Sequence, residues 1–405
     1  MPVIARSKAT KQSQIISISY RLLRFARNDK NGTFRLFTTS SNMKASEYYK
    51  KEDFHNKHEM YTEIAYNTSG MLPHRYVFVL TNLCNLRCHF CYQAKNYHKN
   101  SMEKEDWINL GKQLPDYARV TLTGGEPLIF PGFKELFPYI AERFDCNLIT
   151  NGILLNEDFI DFLLSFPKFK VLSISVDNIG NTLRDVKKEQ WKHVEGIMHH
   201  FVSRRDELGS DCILDLKTLV LDENADELLS IHQYCVEDIG CDYHTFQFLK
   251  GSPIQHADNM FSLDDIFIKH GVPSYKKFGV IKQELEKVRE YNVKTGSVGF
   301  LHPKVASLTS GKQLNDIDCL NATKHIPSRY LPCKFPWSSV HINSDGELFP
   351  CLAVSMGNVK EVSLSKIINS EIYSCFRSLI RDKGSVEACN RCGWLQPFEL
   401  GGVLS

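Results

Sequence analysis

Three cysteines, Cys84, Cys88 and Cys91, fall within eight residues of the stretch LTNLCNLRCHFCYQ, with no fourth close by. Three thiolates at this CxxxCxxC spacing can hold three irons of a 4Fe–4S cluster and leave one iron open, because four protein ligands are usual. The same thiolates can hold zinc with a distant fourth ligand, and spacing alone does not separate the two. A second set lies far downstream. Cys333 and Cys351 flank an apolar run, the turn NSDGE and another apolar run. An Asp-Gly turn between short apolar runs predicts a hairpin. CNRC then supplies Cys389 and Cys392, completing a four-thiolate set for a cluster or for a zinc ribbon. Cys319 and Cys375 are extra and read as buried thiols, with Cys319 a weak candidate for a place near a substrate.

The chain carrying these residues has 405 residues, 13 cysteines, a formal net charge of +2 and 42% hydrophobic residues. Its length suits one large domain and a smaller one. A near-balanced charge points to neither a nucleic-acid nor a membrane partner, and no stretch reaches the ~20 apolar residues of a membrane span. An odd number of clustered cysteines in a large chain argues for a reduced, cytoplasmic metal protein and against a secreted disulfide scaffold. Residues 1–42 read differently. Arg6, Lys8, Lys11, Arg21, Arg24, Arg27, Lys30 and Arg35 face one acid, Asp29. The segment has the composition of a transit peptide but resembles more closely the translated palindromic repeats of bacterial genomes. The expectation is a poorly packed extension, with Met43 as the natural start.

The elements that must position the cysteines follow from the apolar pattern. Strands are predicted at 76–80, 118–124, 146–152, 170–177, 213–221 and 242–249, with helices at 102–114, 132–143, 156–165, 184–207 and 224–238. Strands alternating with helices predict a parallel sheet with crossover helices. Six β/α units are fewer than a closed eight-stranded barrel requires, so the fold class is α/β, a partial (β/α)6 TIM barrel open on one side. In 170–177, Leu172, Ile174 and Val176 alternate with Ser173, Ser175 and Asp177; in 213–221, Leu214 and Leu216 alternate with Asp215 and Lys217. The apolar parity belongs against helices, so the polar parity is placed in the lumen, the alternative being an exposed antiparallel sheet; in the lumen Asp215, Lys217 and Gln247 are weak candidates for substrate or acid–base contacts. A lumen salt bridge explains the first two equally well.

CxxxCxxC with an aromatic, Phe90, before the last cysteine, followed after the second strand by Gly124, Gly125, Glu126 and Pro127 as GGEP, resembles the radical S-adenosylmethionine (SAM) superfamily. The resemblance implies that the open iron is chelated by SAM and that the GGEP segment meets its ammonium group. It extends to Asn151 of TNG at the end of the third strand and to Ser175 on the fourth as further SAM contacts. Arg184 is either a contact to the SAM carboxylate or a solvated helix-start residue. Downstream, CxxPW, Gly346 before Cys351, and Gly357–Asn358 resemble the SPASM/twitch module of the same superfamily. No cysteine follows Cys392, which implies the shorter twitch form, a small C-terminal β-hairpin-plus-helix domain with one auxiliary cluster on Cys333, Cys351, Cys389 and Cys392.

The expected organisation is a basic extension (1–42), a lead-in (43–75), a radical SAM core (76–250), a connector or cap (251–332), an auxiliary-cluster domain (333–395) and a tail (396–405). The implied cofactors are SAM and two 4Fe–4S clusters. The implied activity is reductive cleavage of SAM and hydrogen abstraction from a substrate C–H, for an oxidation or modification in a biosynthetic or peptide-maturation pathway. A flavodoxin or ferredoxin is the implied electron donor. The substrate is a small molecule or a peptide; the shortness of 43–75 as a leader-binding domain favours the former. The rival reading is a non-catalytic iron–sulfur or zinc scaffold, which has no need of GGEP.

Overall fold

The computed structural model describes residues 57–91, 100–248, 275–297, 299–301, 330–350, 354–386, 389 and 392–396. The basic extension, Cys319, Cys351, residues 43–56 of the lead-in and most of the connector lie outside the described residues. The chain divides into Met1–Met60, of which residues 57–60 are described and helical, and Tyr61–Ser405. All elements below belong to the second unit.

Six strands form where the alternation places them: β1 (Arg75–Val79), β2 (Arg119–Thr123), β3 (Asp145–Thr150), β4 (Phe169–Ser175), β5 (Ile213–Val220) and β6 (Tyr243–Phe248). Each pairs in parallel with the next. The crossovers carry helices α1 (Lys104–Gly111), α2 (Phe133–Ala141), α3 (Glu157–Leu164), α4 (Lys188–Glu207) and α5 (Leu228–Gln233). The alternation continues beyond residue 250: α6 (Phe278–Thr295) leads to β7 (Gly299–Leu301), which pairs in parallel with β6. A three-residue strand is too short to show a period in the sequence. At the other edge β8 (Ser339–Ile342) pairs in parallel with β1, and β9 (Leu348–Phe349) returns antiparallel to β8. Among the described residues the sheet has nine strands in the order β7-β6-β5-β4-β3-β2-β1-β8-β9 and does not close.

Apolar parity faces the helices. Leu172, Ile174, Leu214 and Leu216 are all fully buried. Phe137 of α2 lies 5.4–5.7 Å, ring centre to ring centre, from Phe162, Phe166 and Phe169. Removing one such ring costs about 3–5 kcal/mol. Asn156 caps α3 by accepting the Phe159 N–H at 2.8 Å. Helix α4 begins at Lys188, later than its pattern suggests, because Asn181 and Asp185 adopt left-handed φ of 52° and 58° around a single 3-10 turn.

A buried polar pair pins the far side. His232 of α5 and His244 of β6 meet Nδ1 to Nδ1 at 2.9 Å; His232 Nε2 is 2.6 Å from Asn292 Oδ1 and His244 Nε2 is 2.8 Å from Thr218 Oγ1. Both imidazoles are fully buried, and every ring nitrogen has a partner, as burial demands. Two C-terminal helices follow, α7 (Leu364–Ile368) and α8 (Glu371–Lys383), and α8 packs beside Trp337 of the CxxPW segment, with Tyr373 Oη donating to Pro336 O at 2.9 Å. Arg377 and Arg381 of α8 lie 5.8 and 5.1 Å from that indole ring.

Candidate functional site at the mouth of the sheet

Parallel-sheet folds collect their chemistry beyond the C-terminal ends of the strands, and the first cysteine set lies there. Cys84, Cys88 and Cys91 occupy the loop leaving β1. Cys88 is buried and the other two are half-buried. Burial pushes the Cys88 thiol up to about 11, and the neighbouring Cys91 and Cys84 add to that rise. The Cys84 thiol is likewise raised, first by burial and then by Glu126 and Cys91. Three thiols gathered on one loop fit a metal centre, which holds them as thiolates. Among the described residues no three His, Cys, Asp or Glu side chains converge as a single metal ion requires. Thiolates bound to separate irons of a cluster need no such convergence, so the donor set fits a 4Fe–4S group.

The GGEP segment packs against this loop. Gly125 N–H donates to Thr81 O at 2.6 Å and Glu126 N–H to Leu83 O at 2.8 Å. A Cβ on Gly125 would lie 2.2 Å from Leu83 O, and one on Gly124 2.7 Å from Thr81 O. The two glycines thus answer to the backbone of the cysteine loop. Pro127 opens a 3-10 turn capped by the Glu126 side chain. The Glu126 carboxylate is fully buried. Its Oε1 accepts Thr150 Oγ1 at 2.7 Å and Leu128 N–H at 3.2 Å, and its Oε2 accepts Asn151 N–H at 2.8 Å. Burial raises its pKa against the pull of these three donors.

Asn151 closes the chain of contacts. Its Nδ2 donates to Asn85 Oδ1 at 2.7 Å and lies 3.9 Å from Cys84 Sγ, while its Oδ1 accepts Ile153 N–H at 3.0 Å. Phe90 is buried beneath the Arg184 guanidinium, 5.4 Å from its ring centre. Arg184 is not a solvated helix-start residue. Its Nε contacts the buried Asp177 Oδ2 at 2.7 Å, in an ion pair not aligned for a hydrogen bond. Asp177 was legible in sequence as the last polar residue of the luminal parity, but its partner was not.

The luminal parity holds. Asp215 accepts Ser173 Oγ at 2.9 Å and Thr245 Oγ1 at 2.6 Å, and pairs with Lys217 Nζ at 2.5 Å. Asp215 and Lys217 therefore form the lumen salt bridge that their sequence allowed. Ser175, half-exposed at the mouth, makes no side-chain hydrogen bond among the described residues, and the buried Thr121 hydroxyl also has no partner. Gln247 shares this face through its register with Leu219. Sequence reasoning missed Arg75 and Arg119. They lie side by side at the lower end of the same face, and burial holds the Arg75 guanidinium at about 10.

Of the second cysteine set, Cys333 lies toward the other end of the sheet. Cys333 precedes β8, whose Ser339 aligns with Arg75 at the start of β1. Its N–H donates to Gly384 O, while Cys392 N–H donates to Cys389 O and Val386 N–H to Cys389 Sγ. Gly346, at φ 89°, lets the hairpin turn meet Asn358: a Cβ there would lie 2.5 Å from Asn358 Oδ1. Asn358 Nδ2 donates to Asp345 O and Glu347 Oε1, which ties the GN dipeptide to the turn.

Residues 78–234 match the radical SAM superfamily, and residues 333–393 match SPASM, an iron–sulfur cluster-binding domain. The sporulation killing factor maturation protein SkfB of Bacillus subtilis (strain 168) is 29% identical over 169 residues, 40% of this chain and 40% of that protein. The antilisterial bacteriocin subtilosin biosynthesis protein AlbA of the same strain is 26% identical over 118 residues, 28% of this chain and 26% of that protein. The matches thus span less than half of these relatives. Streptococcus suis SuiB bound to S-adenosylmethionine shares the fold, with a TM-score of 0.56 at 16% identity over 93% of this chain and 80% of that one. SuiB bound to its precursor peptide SuiA aligns with a TM-score of 0.55 at 15% identity, over 92% of this chain and 80% of that one. The cysteine loop clamped by GGEP and the two family matches lead to one conclusion: the chain belongs to the radical SAM superfamily and carries a C-terminal SPASM iron–sulfur cluster-binding domain.

Proposed function

We propose that this enzyme matures a peptide by abstracting hydrogen from one of its C–H bonds. Cys84, Cys88 and Cys91 are the ligands of the SAM-binding cluster in this reading, with Ser175 and the GGEP carbonyls facing SAM. Bound SAM supplies, on one-electron reduction, a 5′-deoxyadenosyl radical. The chain's own residues bind, orient and exclude water. Phe90 and Arg184 cover the cysteine loop. Asp215, already holding three donors, keeps the Lys217 ammonium in the lumen, where it can meet a substrate carbonyl or carboxylate. Cys333, Cys351, Cys389 and Cys392 hold the auxiliary cluster, and four thiolates leave it no open iron, which favours electron transfer. A flavodoxin or ferredoxin is the proposed donor.

The observation that carries the reading is the polar luminal face, which runs from Ser175 near the three-cysteine loop through Ser173, Asp215 and Lys217 to Arg75 and Arg119. The peptide assignment is supported by two relatives named for maturation of a killing factor and biosynthesis of a bacteriocin, and by SuiB with its precursor peptide. It reverses the preference for small molecules drawn from the length of 43–75. The test is anaerobic reconstitution followed by mass spectrometry. About eight irons per chain, reductant-dependent 5′-deoxyadenosine and a mass change in a short peptide encoded beside the enzyme are expected. Stoichiometric zinc, or no 5′-deoxyadenosine from iron-replete protein, would refute the reading.

A further inference from the structure

We infer that Asn151 is a positioning residue that sets the reduction potential of the cluster on Cys84, Cys88 and Cys91, and that Glu126 is the strut holding it there. The inference rests on the reading that those cysteines carry a 4Fe–4S cluster. The Asn151 amide is unambiguously oriented. Its Oδ1 accepts a backbone N–H, that of Ile153 at 3.0 Å, so its Nδ2 must face Asn85 Oδ1 at 2.7 Å and Cys84 Sγ at 3.9 Å. One amide hydrogen serves each, and neither is left for another ligand. The residue is only 6% exposed. Its backbone N–H is fixed by Glu126 Oε2, and the adjacent Thr150 hydroxyl by Glu126 Oε1. Cys84 Sγ also receives the Leu86 N–H at 3.4 Å.

Hydrogen bonds to cluster sulfurs are among the levers that set iron–sulfur potentials, and partners that orient the ligands tune a metal site. The sign follows from charge. Reduction adds one electron to the cluster, and a donor dipole aimed at a sulfur stabilises that added charge. Asn151 therefore raises the potential and eases the reduction that SAM cleavage needs. Glu126, whose carboxylate is mostly occupied by Thr150, Leu128 and Asn151, reaches the cluster through Asn151.

The test is a dye-mediated redox titration of the reconstituted holoenzyme, followed on the electron paramagnetic resonance signal that SAM perturbs. Asn151→Ala should keep parental iron and bind SAM within threefold of the parental affinity, while the midpoint shifts negative. Asn151→Asp, which puts a carboxylate beside the sulfur, should shift it further. An unchanged midpoint in both variants would overturn the inference, as would a tenfold loss of SAM affinity with no midpoint shift, which would make Asn151 a SAM contact. Should either variant lose the first cluster, Glu126→Gln decides: it turns a donor toward the Asn151 N–H and should give a smaller shift of the same sign, and no shift refutes the strut. Absence of any SAM-responsive signal in the parental enzyme would instead refute the cluster reading beneath it.

Discussion

Gly125→Ala isolates the contact between the GGEP segment and the cysteine loop. The new methyl carbon would sit 2.2 Å from Leu83 O, 2.7 Å from Leu83 C and 2.9 Å from Asn82 O. All three are backbone atoms, so no side-chain rotation relieves the overlap. The loop must retreat by roughly 1 Å before carbon and oxygen reach ordinary contact. That retreat breaks two bonds, Gly125 N–H to Thr81 O and Glu126 N–H to Leu83 O, at about 0.5–1.5 kcal/mol each. Overpacking strain adds about 1–3 kcal/mol, giving a loss on the order of 2–6 kcal/mol. Gly196→Ala is the control. It lies exposed inside α4 with nothing within 4 Å of its added carbon, and should stabilise by about 0.5–1 kcal/mol. The assay is urea unfolding of the cluster-free chain, paired with iron content after anaerobic reconstitution. Gly125→Ala should unfold earlier and retain fewer irons, with the loss confined to the first cluster. A Gly125→Ala protein with the parental midpoint and full iron would show that the glycines serve a ligand and not the loop.

Asp215→Ala leaves Lys217, Ser173 and Thr245 without their shared acceptor and should destabilise by about 3 kcal/mol, the lower range for breaking a buried pair. Lys217→Met leaves Asp215 two hydroxyl donors and should cost less; equal losses in urea unfolding would refute this ranking. His232 is held below the usual imidazole range by burial, and His244 by burial and then by His232. The unfolded chain therefore takes up protons that the folded chain refuses as pH falls through about 6.5. Their stability is fully present above that pH and is lost below it, with a slope of at most ~1.4 kcal/mol per pH unit for each imidazole. Unfolding at pH 5.5 and 7.5 should show a shallower pH slope in His244→Gln than in the parent. Replacing Cys84, Cys88 and Cys91 together with Ala should leave about four irons per chain, counted by iron analysis; loss of all iron would show that the two cysteine sets are not independent.

The strands were legible because each carries a period of two with a clear apolar parity. Ser173 and Asp215, on opposite parity from Leu172 and Leu214, could be placed in the lumen before any coordinate. The cysteines were legible by type and spacing. Partners that come together from distant segments were not. Nothing in Asp177 announces Arg184, and nothing in Asn151 announces Cys84, because a local pattern carries no record of which loops meet. The glycines show the same limit: their need for close backbone approach was readable, but what approaches, Leu83 and Thr81, depends on how the loop after β1 folds. Arg75 and Arg119 open their strands, and only the strand register puts them side by side. Three-residue β7 and the parallel seating of β8 on β1 leave no periodic signal at all.

That seating has a consequence for dissection of the molecule. With β8 in place, β1 is an interior strand; without it, β1 becomes an edge with a row of unpaired amides and carbonyls. An exposed, flat, apolar edge is a template for pairing with another chain, and the β1 residues Tyr76–Val79 are apolar and fully covered in the intact protein. A fragment ending before residue 333 would expose that edge beside the cysteine loop, so it is expected to aggregate even though it retains every residue matched to the radical SAM superfamily. The C-terminal segment thus acts as a cover for the sheet as well as a holder of cysteines.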